Sequence, residues 1–129
     1  MKLDKELSGI LVVSLEQAVA APYCGLLLAA AGARVIKVER PEGDFARSYD
    51  MGADGKSAIF AWLNRGKESI SMNLKDPRDK QLFEKILAKS DVFLSNLTPG
   101  SLDRLGFADD QLNSINGSVI FVKSEVSDN

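Results

Sequence analysis

The sequence predicts an α/β fold in which helices cover both faces of a doubly wound, mainly parallel sheet. Residues 10–15 form a nearly continuous apolar run, which is typical of a strand buried on both faces. Residues 34–39 form a second run, rich in β-branched side chains, and a helical segment separates the two runs. Strand-like and helix-like segments then alternate along a chain of 129 residues, a length that fits one domain. This alternation is the pattern of a Rossmann-like sheet.

The first helix is predicted to begin near Pro22 and to end at Gly32. Proline suits the first turn of a helix, and glycine readily adopts the left-handed conformation that often ends one. The second strand, residues 34–39, is stopped by Pro41 and Gly43. Strand, helix and strand together form one βαβ unit.

The middle of the chain contains a long irregular stretch. Residues 40–66 are predicted as a loop with an apolar patch at 58–63, and such stretches usually have a functional or interface role. Residues 69–74 are predicted as a third strand. Asp76 then supplies an N-cap for a helix whose first position is Pro77.

The remaining elements continue the alternation. The helix after Pro77 carries four apolar residues on one face at helical spacing: Leu82, Phe83, Ile86 and Leu87. We then expect, in order, a fourth strand at 91–95, a turn at 98–100, a short helix beginning at Ser101 or Asp103, a helix capped by Asp109, and a fifth strand at 119–122.

Composition excludes several classes of site. Hydrophobic residues make up 45% of the chain and charged residues 26%, as in an ordinary soluble globular protein. The formal charge of -2 provides no global field for nucleic acid or an anionic membrane, so an anionic ligand must be bound locally. Cys24 is the only cysteine, which excludes an internal disulfide and a metal site built on several thiolates. Histidine is absent, which excludes Ser-His-Asp or Cys-His catalysis and His-ligated zinc from this chain alone, and we expect no metal.

No segment has the pattern of an exported or membrane-spanning chain. The apolar run behind residues 1–9 is interrupted by Glu16, and no cleavage pattern follows it. The apolar stretch 18–33 contains Pro22 and is shorter than the about 20 residues of a spanning helix. We therefore expect a cytoplasmic protein that binds neither nucleic acid nor a membrane.

Ligands of open α/β sheets bind at the carboxyl ends of the strands, which here are followed by residues 16–21, 39–43, 73–76 and 95–100. The first of these segments lacks the glycines of a G-x-G-x-x-G fingerprint, and a Walker P-loop is absent as well. Glu39, at the end of the second strand, is therefore not expected to bind the ribose of a dinucleotide.

Three cations and two amides lie near these strand ends. The cations Arg40, Lys75 and Arg104 could bind phosphate, or they could belong to a solvated charged face. The amides of Gln17 and Asn96 could bind a ligand amide or an adenine edge, although turn chemistry is the default role for an asparagine before a turn.

Other reactive or bulky side chains have structural interpretations. Cys24 is expected to be a packed thiol within an apolar helix, and Phe60 and Trp62 are expected in the core or at an interface. Five aspartates are candidate nucleophiles without a distinguishing context, because loop aspartates are mostly caps and turn residues: Asp44, Asp50, Asp54, Asp103 and Asp128.

A series of motifs resembles one family from end to end. The opening of the series is formed by residues 7–10 (LSGI), 16–18 (EQA) with 21–22 (AP), and 35–41 (VIKVERP). It continues with residues 63–70 (LNRGKESI), 73–77 (NLKDP), 96–100 (NLTPG) and 104–107 (RLGF). In this order and at this spacing the motifs resemble class III CoA-transferases, the family of formyl-CoA and carnitine CoA-transferases. A series over nearly the whole chain is far more specific than any one motif.

The resemblance implies that residues 1–129 are the Rossmann-like, CoA-binding amino-terminal part of the family's large domain, without its carboxyl-terminal remainder. It also implies that CoA lies along the strand ends. The implied contacts are Gln17 and Ala18 at the pantetheine and thioester end, Arg40 at the nucleotide and phosphate part, Met72 and Lys75 at adenine and phosphate, Asn96 and Leu97 along CoA, and Arg104 at a further phosphate.

The activity implied is transfer of CoA between an acyl-CoA thioester and a carboxylic acid, by a homodimer of interlocked chains. Residues 62–69 look closest to members that act on small dicarboxylic acids. In the family an aspartate attacks the thioester and forms an aspartyl intermediate. That aspartate is expected beyond residue 129, so this chain alone is expected to be inactive.

Two departures from the family pattern leave alternatives open. Residues 123–129 replace the family's Ser-Gly-Phe/Tyr-Gly segment, and Glu16 places an acid near an anionic ligand. An α-methylacyl-CoA racemase-like fragment and a non-catalytic CoA-binding or assembly module are the alternative functions. Without its remaining segments the chain is expected to expose apolar surface around Phe60 and Trp62 and to self-associate.

Overall fold

The computed structural model describes residues 5–52, 54–98 and 100–124. The strands are β1 (Leu11–Leu15), β2 (Arg34–Glu39), β3 (Glu68–Ser71), β4 (Val92–Ser95) and β5 (Ile120–Lys123). The helices are α1 (Ala20–Ala30), α2 (Ala58–Leu63), α3 (Pro77–Ala88), α4 (Ser101–Leu105) and α5 (Asp109–Ile115), with a 3-10 turn at Phe45–Ser48. Residues 1–4, Pro99 of the predicted turn, Asp128 and the rest of the divergent end at 125–129 lie outside the described residues.

The five strands form one parallel sheet in the order β3-β2-β1-β4-β5. Strand β1 pairs with both central neighbours, and Val12 lies opposite Val35 on one side and Val92 on the other. The chain winds outward from β1 to β3 and then returns to build β4 and β5 on the other side. The strand order therefore reverses between β1 and β4, and the carboxyl edge at that point is where such sheets bind ligands.

Apolar residues cover both faces of the sheet, as a doubly wound fold requires. One cluster joins the sheet to α3, α4 and α5 and includes Phe83, Phe93 and Phe107, whose rings meet edge to face. The other cluster includes Val12, Val35 and the α1 residue Ala21. The predicted α/β class with a Rossmann-like parallel sheet is thus confirmed.

Local hydrogen bonding explains where the predicted boundaries differ. The apolar patch at 58–63 is the helix α2 rather than loop, because Ser57 caps it by accepting the Phe60 N–H at 3.1 Å. Strand β3 ends at Ser71, earlier than predicted, since the Asn73 N–H is taken by the Asp79 carboxylate at 2.8 Å.

Two predictions for the later helices were wrong in detail. Asp109 is the first residue of α5 rather than its cap, because the Ala108 N–H donates to Gln111 Oε1 at 2.9 Å and the helix starts there. On α3 only Phe83 and Leu87 are fully buried, whereas Leu82 is 46% exposed. Phe83 and Leu87 are four residues apart and therefore lie on the same side of the helix. The buried side of α3 is thus narrower than the predicted face of four residues. The Asp76 cap and Pro77 start of α3 are confirmed, as Asp76 accepts the Arg78 N–H.

Within the described ranges, no helix is long and apolar enough to cross a membrane.

Candidate functional site

A cavity of about 560 Å³ opens at the carboxyl edge of β1, β2 and β3. Its walls are residues 15–17 at the end of β1, 38–44 at the end of β2 and 72–75 after β3, together with Leu97 and Leu105. Apolar side chains of β1, β2 and α4 meet charged residues of the loops in one place. The cavity therefore offers both apolar contact and charge to a ligand.

Five of the eight residues predicted to contact a ligand line this cavity: Gln17, Arg40, Met72, Lys75 and Leu97. Met72 is buried, and the two cations are exposed at the surface. Because these residues follow four different strands, only the parallel sheet brings them together.

The other three predicted residues do not line the cavity. Ala18 lies in the turn after β1, directly after the cavity residue Gln17, and has a positive φ of 63°. Arg104 lies exposed on α4, one residue before Leu105, and donates to Ser101 Oγ at 3.2 Å.

The amide of Asn96 is committed to the protein backbone. Its Oδ1 accepts the Gln17 N–H at 2.9 Å, and its Nδ2 donates to the Gln17 carbonyl at 2.8 Å. This reciprocal pair ties the end of β4 to the end of β1 across the point where the strand order reverses. Asn96 therefore shapes the cavity by holding Gln17 in place.

Two contacts hold the Arg40 guanidinium at the mouth of the cavity. Its Nε donates to the Gly43 carbonyl at 2.9 Å, and its guanidinium lies 4.0 Å from the centre of the exposed Phe45 ring. Stacking on an aromatic ring leaves the outer N–H groups of the guanidinium free to bind an anion.

The Glu39 carboxylate is engaged in hydrogen bonds within the protein. It accepts hydrogen bonds from Arg47, from Ser69 Oγ at 3.0 Å and from the Asp44 N–H at 3.1 Å. Burial alone would raise its pKa, but the Arg47, Asp44 and Ser69 hydrogen bonds outweigh burial and lower the pKa of Glu39 to about 2. Glu39 therefore stays ionised in the folded protein at any ordinary pH.

This depressed pKa predicts an acid-sensitive fold. Because the unfolded chain takes up a proton near the normal value of 4.5 and the folded chain only near 2, stability is lost as pH falls between these values. In Glu39→Gln this loss should be smaller, as measured by urea unfolding at pH 5 and pH 3. Glu68→Gln is the control, since the Arg34–Glu68 pair is exposed. Equal pH slopes for the wild type and Glu39→Gln would contradict this role.

Four buried charges lie together beside the cavity, and two of them, Glu16 and Asp44, belong to its wall. Lys37 Nζ contacts Asp44 Oδ2 at 2.7 Å and Glu16 Oε1 at 3.5 Å, and Lys67 pairs with Glu16. All four side chains are at most 1% exposed. Glu16, the acid that departs from the family pattern, lines the cavity, and two buried lysines compensate its charge.

The geometry around Lys67 explains a glycine in the middle of α1. Lys67 also donates to the Pro22 carbonyl and to Asn64 Oδ1, both at 2.8 Å. A Cβ at Gly25 would lie 2.8 Å from Glu16 Oε2, so glycine leaves the room that the ion pair needs. Burial lowers the pKa of Lys67, and the Glu16 carboxylate opposes that shift.

Sequence reasoning missed this buried network, although one signal was available. Lys37 is a charged residue among the apolar central residues of β2, and its neighbours Val35 and Val38 are buried. A lysine in such a position requires a buried acid as partner. The sequence does not reveal which acid this is.

The remaining candidates have structural surroundings. Cys24 packs on the α1 side of the sheet, where burial and the nearby Glu16 raise the pKa of its thiol. Asp44 belongs to the buried network, and Asp50 accepts hydrogen bonds near the start of α2. Asp54 and Asp103 are exposed. Among the residues that the structure describes, no group of three or more acidic or sulfur ligands could hold a metal.

An exposed aromatic surface lies on the α1 and α2 side. Trp62 is 53% exposed, Tyr23 is 45% exposed, and their ring centres are 6.0 Å apart. Phe60 instead lies beneath the Arg47 guanidinium, 3.9 Å from it. The predicted exposed apolar surface is thus present at Trp62, while Phe60 is partly covered.

Comparison with known proteins identifies the family. The profile of CoA-transferase family III matches residues 7–126. The chain is 41% identical over 117 residues to the acetyl-CoA:oxalate CoA-transferase of Acetobacter aceti, covering 90% of this chain and 30% of that protein. It is 36% identical over 119 residues to the succinyl-CoA:glutarate CoA-transferase of Mus musculus, covering 91% and 27%.

Solved structures agree with the profile. A hypothetical protein from Mycobacterium tuberculosis superposes with a TM-score of 0.88 at 33% identity, covering 98% of this chain and 35% of that one. A CAIB/BAIF family protein from Brucella suis superposes with a TM-score of 0.83 at 34% identity, covering 91% and 32%. The chain spans about 30% of the length of the relatives that it matches. It belongs to CoA-transferase family III.

Proposed function

We propose that this chain is the CoA-binding part of an enzyme that moves CoA between an acyl-CoA thioester and a small carboxylic acid. The observation that carries the proposal is the cavity at the carboxyl edge of the sheet, in which Gln17, Arg40, Met72, Lys75 and Leu97 meet. The family resemblance independently implies CoA contacts for these same five residues.

The chemistry of the cavity suits the two halves of CoA. Arg40 and Lys75 are exposed cations at its mouth, able to bind the phosphates as a bidentate fork and as a point charge. Met72, Leu97 and Leu105 offer apolar surface to adenine and to the pantetheine arm. Gln17, at the end of β1, would then face the thioester end, with Ala18 beside it and Arg104 as a further cation near the phosphates.

The covalent step requires a nucleophile that we do not assign to this segment. In the proposed reaction an aspartate carboxylate attacks the thioester carbonyl and displaces the CoA thiolate, which gives an acyl-aspartyl anhydride. The thiolate then attacks the aspartyl carbonyl, and the carboxylate of the first acid leaves. The acceptor carboxylate then attacks the aspartyl-CoA thioester and displaces the CoA thiolate, which gives a second mixed anhydride. Finally the thiolate attacks the acyl carbon of the acceptor, which forms the new acyl-CoA and releases the aspartate carboxylate. We propose that polypeptide outside residues 1–129 supplies this aspartate, so the present chain binds CoA without turnover.

The acceptor that we propose is a small dicarboxylic acid, because relatives of this chain are named for oxalate and glutarate. The two relatives from Acetobacter aceti and Mus musculus are named as transferases, which favours transfer over the racemase alternative. We further propose that the complete enzyme works in the cytoplasm as a homodimer.

Titration with CoA tests the proposal. Calorimetry at low salt should show saturable binding that weakens as salt is added, because phosphate contacts are screened. The Arg40→Ala/Lys75→Ala variant should lose about tenfold in affinity, since each exposed charge contact contributes about 0.5–1 kcal/mol.

The matched control removes the same charge from another surface. Lys85→Ala/Lys89→Ala lies at the end of α3, away from the cavity, and should bind CoA with unchanged affinity. An equal loss in both double variants would mean that only the net charge matters. Absence of CoA binding by a folded chain would overturn the proposal.

A further inference from the structure

The turn after β1 has a conformation that its own residues disfavour. Ala18 adopts a φ of +63°, a left-handed region that residues other than glycine rarely occupy. Such a backbone persists only where surrounding contacts hold it. The turn immediately follows Gln17, which lines the cavity, so its conformation sets the direction in which this wall of the cavity leaves β1.

A carboxylate holds the N–H of Ala18, while the Asn96 amide holds the Gln17 carbonyl of the same peptide group. The Ala18 N–H donates to Asp44 Oδ1 at 2.9 Å, and the same oxygen accepts the Ala46 N–H at 2.9 Å. Asp44 is buried and lies in the loop after β2. It therefore joins two walls of the cavity, the turn after β1 and the loop after β2, that are 26 residues apart along the chain.

Lys37 fixes the orientation of the Asp44 carboxylate by binding its other oxygen. Its Nζ contacts Asp44 Oδ2 at 2.7 Å, which leaves Oδ1 directed at the two backbone N–H groups. Lys37 is fully buried and does not line the cavity. Its charge also compensates the carboxylate, so a polyanionic ligand does not meet an unpaired negative charge at this wall.

We propose that Asp44, oriented by Lys37, is a positioning residue for CoA binding that holds Ala18 in its left-handed conformation. The inference rests on the proposed function, since CoA is the ligand whose site is being shaped. Asp44 acts through the backbone of Ala18. When a chain visits its binding-competent conformation only part of the time, the apparent affinity falls by that fraction. Loss of the Asp44 contact therefore weakens CoA binding by lowering the population of the left-handed turn.

A cycle of variants separates this role from general destabilisation. Lys37→Met/Asp44→Ala removes one charge of each sign and keeps the volume of the lysine stem. We expect it to weaken CoA binding about tenfold, the effect of one hydrogen bond to a charged group. In the Ala18→Gly background the same pair of changes should cost about threefold or less, because glycine occupies the left-handed region readily without a carboxylate to hold it.

A second readout does not depend on CoA. The amide proton of Ala18 should resonate downfield in the wild type, because it donates to a carboxylate, and should move upfield in Lys37→Met/Asp44→Ala. If that variant does not fold, the nearly isosteric Lys37→Met/Asp44→Asn takes its place, with a smaller loss of affinity in the same direction.

The outcomes are distinct. An equal loss of affinity in both backgrounds, or an unchanged Ala18 resonance, would overturn the positioning role. Absence of CoA binding by the folded wild type would instead overturn the proposed function, and the Ala18 resonance alone would then decide whether Asp44 holds the turn.

Discussion

Replacing Lys67 with methionine is expected to lower the free energy of unfolding by about 3–5 kcal/mol. The Glu16 carboxylate is fully buried, and without Lys67 its nearest cation is Lys37 at 3.5 Å, already paired with Asp44 at 2.7 Å. Among the described residues, Glu16 Oε2 has no hydrogen-bond partner even in the wild type. Urea unfolding followed by circular dichroism measures the effect.

The control for Lys67→Met also removes the Glu16 carboxylate, which would otherwise be left without its Lys67 partner. Glu16→Gln/Lys67→Met should recover most of the loss, because a neutral amide costs far less to bury than an uncompensated carboxylate. Lys89→Met changes an exposed lysine in the same way and should have little effect. If the double variant is as unstable as Lys67→Met, the loss comes from packing rather than from charge.

Phe83→Ala is the second change with a large expected effect, about 3–5 kcal/mol of unfolding free energy. The ring is completely buried and meets Phe93 at 5.9 Å and Phe107 at 5.1 Å between ring centres. Truncation would leave a cavity between α3, the sheet and the residues after α4. Thermal and urea unfolding of the variant measure the loss.

The neighbouring residue is a matched control for Phe83. Leu82 is 46% exposed, and Leu82→Ala should therefore cost well under about 1 kcal/mol. The pair also tests the orientation of α3, because the sequence pattern alone assigned both residues to one apolar face. A similar cost for both substitutions would show that α3 is rotated about its axis so that Leu82 is buried as well.

Much of the fold could be predicted because its signals are local. Strand β2 has its predicted bounds, Arg34–Glu39, since three of its four central residues are β-branched and a proline follows soon after it. The start of α3 follows from Asp76 and Pro77, whose roles depend only on neighbouring N–H groups. The helix α2 was missed because six residues are too few to show a helical period, and only the Ser57 cap could have revealed it.

Part of the candidate site could be predicted from the positions of its residues relative to the strand ends. Gln17, Arg40 and Lys75 were placed at strand ends, and parallel strands bring their carboxyl ends to one edge, so position along the chain was enough. The role of Asn96 could not be predicted in the same way. Its amide bonds the backbone of Gln17, 79 residues earlier in the sequence.

By itself, the sequence determined the α/β class, the order of the elements and the strand ends from which a ligand site is built, because apolar period and capping residues act over a few neighbours. Only the tertiary structure decided that buried lysines pair with Glu16 and that Asp44 holds Ala18. Two of these contacts join residues 26 and 51 positions apart, and the pairing of buried charges depends on which strands and loops become neighbours in space.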